Sequence, residues 1–269
     1  MSDAAEAGLR LTTLGTGSAF AGIGHNAAAC VDGRLLLDCG APVLTLMPAV
    51  GLDPGRVETV LLSHFHADHS FQLPLLVGAR RLTPDASPPL TVVGPLGTAD
   101  FLERLLVLGF GERLAELARA PEGLRILEWS GGEQAELGGY RVEAVAMVHA
   151  SDIRALGYRV ERNGVSLGYS GDTAWCEGIL ALARRSDYLL CECTSMDRPE
   201  PTHLCRAEVL RLIREAPDAR LILTHLSQRR PVPGAILAAD GVTLPLRRPG
   251  SPAAQPASGS RQAADAEGQ

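Results

Sequence analysis

The sequence predicts an α/β fold, and two observations carry that expectation. Short apolar runs alternate with helix-patterned segments from residue 9 to about 110, and again from about 120 to 245. Polar residues capable of chemistry stand at the ends of several apolar runs, where a sheet-and-helix scaffold delivers its reactive groups. A chain of 269 residues is long enough for one domain with a sizeable core. The expected division is an N-terminal tail over 1–8, a folded domain over 9–247 and a disordered tail over 248–269. The tail assignment rests on the low-complexity stretch Pro249 to Ser260.

Taken in order, the region Leu35 to Leu52 is strongly apolar. Asp38, Pro42 and Pro48 interrupt it, and it is too short to span a bilayer. Asp100 to Leu108 has Phe101, Leu105 and Leu108 at helical spacing, with a break expected at Gly109-Phe-Gly111. A short helix is expected at Glu112–Arg119 and another at Glu208–Glu215. Tyr140 to His149, Gly164 to Tyr169 and Leu221 to Ser227 read as strands with their exits.

Composition narrows the class. Apolar residues make up 46% and aromatics only 4%, so the core is expected to be Leu, Val and Ala. The first seven residues lack the basic start and apolar stretch of a signal peptide. Six cysteines without regular spacing fit reduced thiols rather than a disulfide scaffold. A cytoplasmic enzyme with no membrane association is the expectation; a homodimer is compatible with it. Net charge is −6, and all 25 basic residues are arginine. That balance does not advertise a stable nucleic-acid partner. The pairs Arg80-Arg81 and Arg229-Arg230 read as solvated surface.

The densest signal is Leu61-Leu-Ser-His-Phe-His-Ala-Asp-His-Ser70. It sets His64, His66, Asp68 and His69 in an H-x-H-x-D-H run that uses three of the chain's seven histidines. Imidazole and carboxylate are donors that Zn²⁺, Mn²⁺ or Fe²⁺ accept. In extended chain His64 and His66 point to one side and can share an ion. Asp68 and His69 follow where the chain turns and can reach a neighbouring one. Further donors stand at strand ends: His149, Asp172 in Tyr169-Ser-Gly-Asp-Thr173, and His225 in Leu223-Thr-His-Leu-Ser227. Singly, each reads as a core histidine or a turn aspartate. Together with the first run they point to two metals.

In these residues the chain resembles the metallo-β-lactamase-fold hydrolases, and among them the ribonuclease Z-like phosphodiesterase branch. The likeness runs from Leu11 to about Leu244. It includes Leu14-Gly-Thr-Gly-Ser-Ala19, Leu37-Asp-Cys-Gly40, Leu73-Pro-Leu-Leu76, Val93-Gly-Pro-Leu-Gly97, Gly157-Tyr-Arg-Val160 and Ala239-Asp-Gly241. It departs at Gln72, where the family has glycine. The resemblance implies a four-layer αβ/βα sandwich with metals at the edge between the two sheets. It also implies that His64, His66 and His149 hold one divalent ion and Asp68, His69 and His225 a second, with Asp172 bridging. The ions would be Zn²⁺, with Mn²⁺ or Fe²⁺ as alternatives. A water between two such cations loses a proton near neutral pH and becomes the attacking hydroxide, with Asp68 orienting it or accepting its proton. Asp38 reads equally as a turn aspartate or as an acceptor for a ligand histidine's other N–H.

The resemblance also implies that His203, held by Glu192, assists the leaving group. The competing reading of His203 is a helix N-terminal residue with Thr202 as its cap. Cys191, Cys193, His203 and Cys205 could form a separate zinc site. The C-x-C spacing and the strand alternation that turns both cysteines away from Glu192 speak against it. Ribonuclease Z enzymes that mature tRNA carry a long arm for which residues 150 to 171 leave no room. The expected substrate is therefore a small phosphodiester or short RNA: a cyclic nucleotide, a nucleotide ester or an RNA end. Lactone, thioester or sulfate-ester hydrolysis on the same centre is the alternative, and a non-catalytic metal-binding protein a remoter one.

Overall fold

The computed structural model describes residues 8–82, 90–120 and 123–248. The expected tails, apart from their innermost residues 8 and 248, lie outside the described residues. In chain order the elements are β1 (Leu9–Gly15), β2 (Ala28–Val31), β3 (Leu35–Leu37), α1 (Val43–Ala49), β4 (Thr59–Leu61), α2 (Ala67–Ser70), α3 (Leu73–Leu82), β5 (Leu90–Pro95), α4 (Thr98–Phe110), α5 (Glu112–Arg119) and β6 (Leu124–Trp129). There follow β7 (Gln134–Leu137), β8 (Tyr140–Met147), β9 (Ala155–Arg162), β10 (Val165–Tyr169), α6 (Glu177–Arg184), β11 (Tyr188–Glu192), α7 (Arg206–Glu215), β12 (Arg220–Thr224), β13 (Ala235–Leu237) and β14 (Val242–Leu246).

Strand alternation builds the layers. In β3, Leu35 and Leu37 face one apolar cluster while Leu36 faces another; in β11, Tyr188 and Leu190 face the first while Leu189 and Cys191 face a third. The shared cluster lies between two seven-stranded sheets, and each of the other two lies between a sheet and its helices. The result is the expected αβ/βα sandwich. The sheet orders are β14-β1-β2-β3-β4-β5-β6 and β13-β12-β11-β10-β9-β8-β7. The split does not fall at residue 120. β6 pairs parallel with β5, and β14 crosses back to pair antiparallel with β1, covering what would be a bare edge.

Two local expectations are corrected and one is narrowed. The core is less purely aliphatic than the composition suggests, because all four tyrosines and Trp129 pack between the sheets. Gly109 lies inside α4, and the break comes at Gly111, whose φ of 79° only glycine adopts readily. Cys205, not Thr202, caps α7, with Glu208 completing a capping box. Among the described residues, no helix is long and apolar enough to cross a membrane.

Candidate metal centre

Six of the seven histidines converge at one edge of the sandwich. The H-x-H-x-D-H run leaves β4 as extended chain and turns into α2, so His64 and His66 meet at 2.9 Å (Nε2 to Nδ1) while Asp68 and His69 swing to the neighbouring side. His149 follows β8, Asp172 follows β10 and His225 follows β12. Two four-residue donor groups result, His64, His66, His149 and Asp172, and Asp68, His69, Asp172 and His225, with a smaller group of Glu192, His203 and His225 beside them. Within each group the donor atoms lie within 4.8 Å of one another. Asp172 belongs to both four-residue groups. Its Oδ2 stands 3.8 Å from His64 Nε2, 4.0 Å from His149 Nε2, 3.3 Å from His69 Nε2 and 3.5 Å from His225 Nε2. Nitrogen donors around one tetrahedral zinc sit about 3.3 Å apart, so the spacings to His69 and His225 are close to those of a coordination shell and the spacings to His64 and His149 are wider.

The supporting hydrogen bonds fix which nitrogen each imidazole offers. Asp38, fully buried with φ of 57°, accepts from the Ser63 amide (2.6 Å), the Ser63 hydroxyl (2.7 Å), the Tyr169 hydroxyl and His69 Nδ1 (2.6 Å). The Ser63 hydroxyl in turn accepts from His64 Nδ1 at 3.0 Å. His149 Nδ1 donates to the Thr202 carbonyl at 2.8 Å. Thr194 Oγ1 donates to Glu192 Oε2 at 2.6 Å and accepts from His225 Nδ1 at 2.8 Å. In these four imidazoles Nδ1 carries the proton, leaving Nε2 as a lone pair aimed at the centre; His66 differs, since its Nδ1 is the nitrogen that faces His64 Nε2 and His149 Nε2. Asp38 is an acceptor for a site histidine, which decides between its two sequence readings. Gly40 keeps the supports close, since a Cβ there would stand 1.6 Å from the Asp68 carbonyl.

The donor set passes a direct test of fit. His69 Nε2 and Asp172 Oδ1 are buried without hydrogen-bond partners, an arrangement that costs free energy unless a cation fills the gap. Burial lowers the proton affinity of His64, and neighbouring His69 lowers it further. Burial would likewise depress His69, but the Asp172 and Asp38 carboxylates raise its pKa well above the usual range. Asp68 would rise on burial, yet the hydrogen bond with His225 and the nearby His69 imidazole hold it well below an ordinary carboxylate. Imidazole and carboxylate without thiolate suit Zn²⁺, Mn²⁺ or Fe²⁺.

Beside this cluster His203 Nδ1 lies 3.1 Å from Glu192 Oε1 and 3.8 Å from Asp172 Oδ2. Glu192 is fully buried and also accepts from the Thr173 amide at 2.7 Å. Burial lowers the His203 pKa and the Glu192 hydrogen bond raises it, with a net rise. Cys191 and Cys193 pack in the helix-side core, and no cysteine joins a group of possible metal donors among the described residues. A cavity of about 600 Å³ opens onto the centre, lined in part by Asp68, Asp172, His203 and His225. Ser63, Tyr169 and Thr194 carry supporting roles that no sequence pattern assigned.

The family profile of the beta-lactamase superfamily domain matches residues 33–226. The chain belongs to the beta-lactamase superfamily. This superfamily member is a metal-dependent, ribonuclease Z-like hydrolase by its relatives. It is 33% identical over 229 residues to the uncharacterized protein ML1173 of Mycobacterium leprae, covering 81% of this chain and 78% of that one. It is 31% identical over 194 residues to ribonuclease Z of Mycobacterium bovis, covering 68% and 69%. The human short-form tRNase Z crystal structure superimposes with a TM-score of 0.69 at 25% identity, covering 89% of this superfamily member and all of the human chain.

Proposed function

We propose that this hydrolase cleaves phosphodiester bonds in a small substrate, a cyclic nucleotide, a nucleotide ester or a short RNA end. The observation that carries the reading is the position of His203. It stands 3.8 Å from the shared carboxylate of two donor groups, its Nδ1 is engaged by Glu192, and it lines the same cavity. His64, His66 and His149 would hold one divalent cation and Asp68, His69 and His225 another, with Asp172 between them and Zn²⁺ the first choice. When bound, such cations draw charge from a phosphoryl group and make water a nucleophile near neutral pH.

The chain's own residues supply the rest. Asp68, kept ionised by its histidine neighbours, accepts a hydrogen bond from water and orients it. With Nδ1 tied to Glu192, His203 is left to offer Nε2, from which a proton passes to the departing oxygen. The raised pKa of His203 favours the protonated form that this step requires. Relatives named ribonuclease Z support phosphoester chemistry. The short β9–β10 hairpin, occupying the interval between His149 and Asp172, supports a small substrate.

The deciding experiment loads the protein with a known amount of metal. Bis(p-nitrophenyl) phosphate, 2′,3′- and 3′,5′-cyclic nucleotides, a lactone and a thioester are then assayed. Turnover of phosphodiesters in preference to the other two is expected. Turnover of a lactone or thioester alone would overturn the reading.

A further inference from the structure

One wall of the cavity is a turn formed by Ser18, Ala19, Phe20 and Ala21. Phe20 has 102% of its reference area exposed, so its ring adds nothing to the core. An exposed aromatic on an ordinary surface is unremarkable in itself. This one sits on a backbone tied down on both sides. Gly17 N–H donates to the His25 carbonyl (2.9 Å), Ser18 N–H to the Leu226 carbonyl (3.0 Å) and Ala21 N–H to the Ser18 carbonyl (3.2 Å). Asp240 Oδ1 accepts from the amide and hydroxyl of Thr16 (2.9 and 2.6 Å), and Oδ2 from the amide and Nδ1 of His25 (2.7 and 2.9 Å). The turn is therefore anchored before any ligand arrives, which lowers the ordering cost of a contact made by its ring.

Among the described residues, the lining of the cavity also lacks any arginine. The neighbouring Arg229 directs its guanidinium to the carbonyls of Ala238 and Ile23 and to the Thr16 hydroxyl. Away from the histidines and carboxylates, a substrate meets small apolar side chains, serine hydroxyls and one free aromatic face. Among the described lining residues, no guanidinium awaits a second phosphate. A volume of about 600 Å³ lies within the range of pockets that take a nucleotide-sized ligand.

We propose that Phe20 is a stacking platform for a nucleobase, so that the substrate carries one base beside the scissile phosphate and no further phosphate. The proposal rests on the phosphodiesterase reading above and makes Phe20 a specificity residue that does not touch the reacting atoms. Base–aromatic stacking tolerates every base because each presents a π face.

The test compares wild type with Phe20→Ala, Phe20→Leu and Phe20→Trp on 2′,3′-cyclic AMP, base-free glycerophosphocholine and bis(p-nitrophenyl) phosphate. In Phe20→Ala the kcat/KM preference for the nucleotide over the base-free diester should fall about tenfold, mainly through KM. Leucine should fail to restore it and tryptophan should succeed. Independently of turnover, the added fluorescence of Phe20→Trp over wild type should be quenched by AMP and not by ribose 5-phosphate. A preference for the nucleotide over base-free glycerophosphocholine that is unchanged in Phe20→Ala overturns the nucleobase platform. If no phosphodiester is turned over by wild type, the reaction class falls. The fluorescence titration then decides the platform alone.

Discussion

The two sheets support the centre in different ways. The first sheet contributes a single contiguous loop, His64 to His69, braced by one buried carboxylate, Asp38. The second contributes one residue from each of several strand ends, braced by another buried carboxylate, Glu192. Both carboxylates are fully buried and each accepts several hydrogen bonds. They differ in what they hold. The partners of Asp38, namely Ser63, Tyr169 and His69, are all sealed from solvent, whereas Glu192 holds His203, whose side chain is 22% exposed and faces the cavity. One carboxylate locks a scaffold, and the other holds an imidazole at an opening.

The severest way to break this contrast is Asp38→Ala. It strands the Ser63 amide and hydroxyl and the Tyr169 hydroxyl in the core, and should cost about 3–5 kcal/mol. Urea denaturation and metal analysis should show both lower stability and fewer bound ions. His203→Ala should lower kcat about 10²–10⁴-fold with metal content intact, measured by steady-state kinetics beside elemental analysis. If metal is lost in parallel, the residue is a ligand and not a proton donor.

Smaller effects sharpen the comparison. Ser63→Ala and Thr194→Val each remove a hydroxyl that orients an imidazole, one in each half. Metal affinity should fall about 10–100-fold in both, read by competition with a chelating dye. The mildest change is Glu192→Gln, which removes the group that raises the His203 pKa. On the proposed role the protonated form acts, so activity should be lost as pH rises through that pKa. The alkaline limb of kcat/KM should therefore move to lower pH in the variant. An unmoved limb would separate His203 from the pH profile.

How far the sequence could be read differed between the same two regions. The loop from His64 to His69 is legible because four donors in six residues have no common structural use. His149, Asp172 and His225 are legible only because each closes an apolar run. Asp38 stayed open between a turn residue and a support, and the choice depended on a contact with His69 across 31 residues. Ser63, Tyr169 and Thr194 could not be assigned, since a hydroxyl gains its role only from what folding brings to it; Tyr169 reaches Asp38 across 131 residues. Phe20 was hidden for a different reason: nothing in a lone phenylalanine says whether it faces a core or a cavity. The crossing of β14 into the first sheet was likewise invisible to periodicity, which reports strands without their partners.

That crossing bears on how the molecule assembles. β1 pairs with β2 nearby in the chain, but its other edge waits for β14, more than two hundred residues on. Contacts so distant in sequence close late and slow folding. Asp240, just ahead of β14, is also the anchor of the turn that carries Phe20. During synthesis the histidine loop can form on its own sheet well before the far end of the chain docks. The turn on that side of the cavity therefore gains its Asp240 anchor only after every residue of the two donor groups has been synthesised.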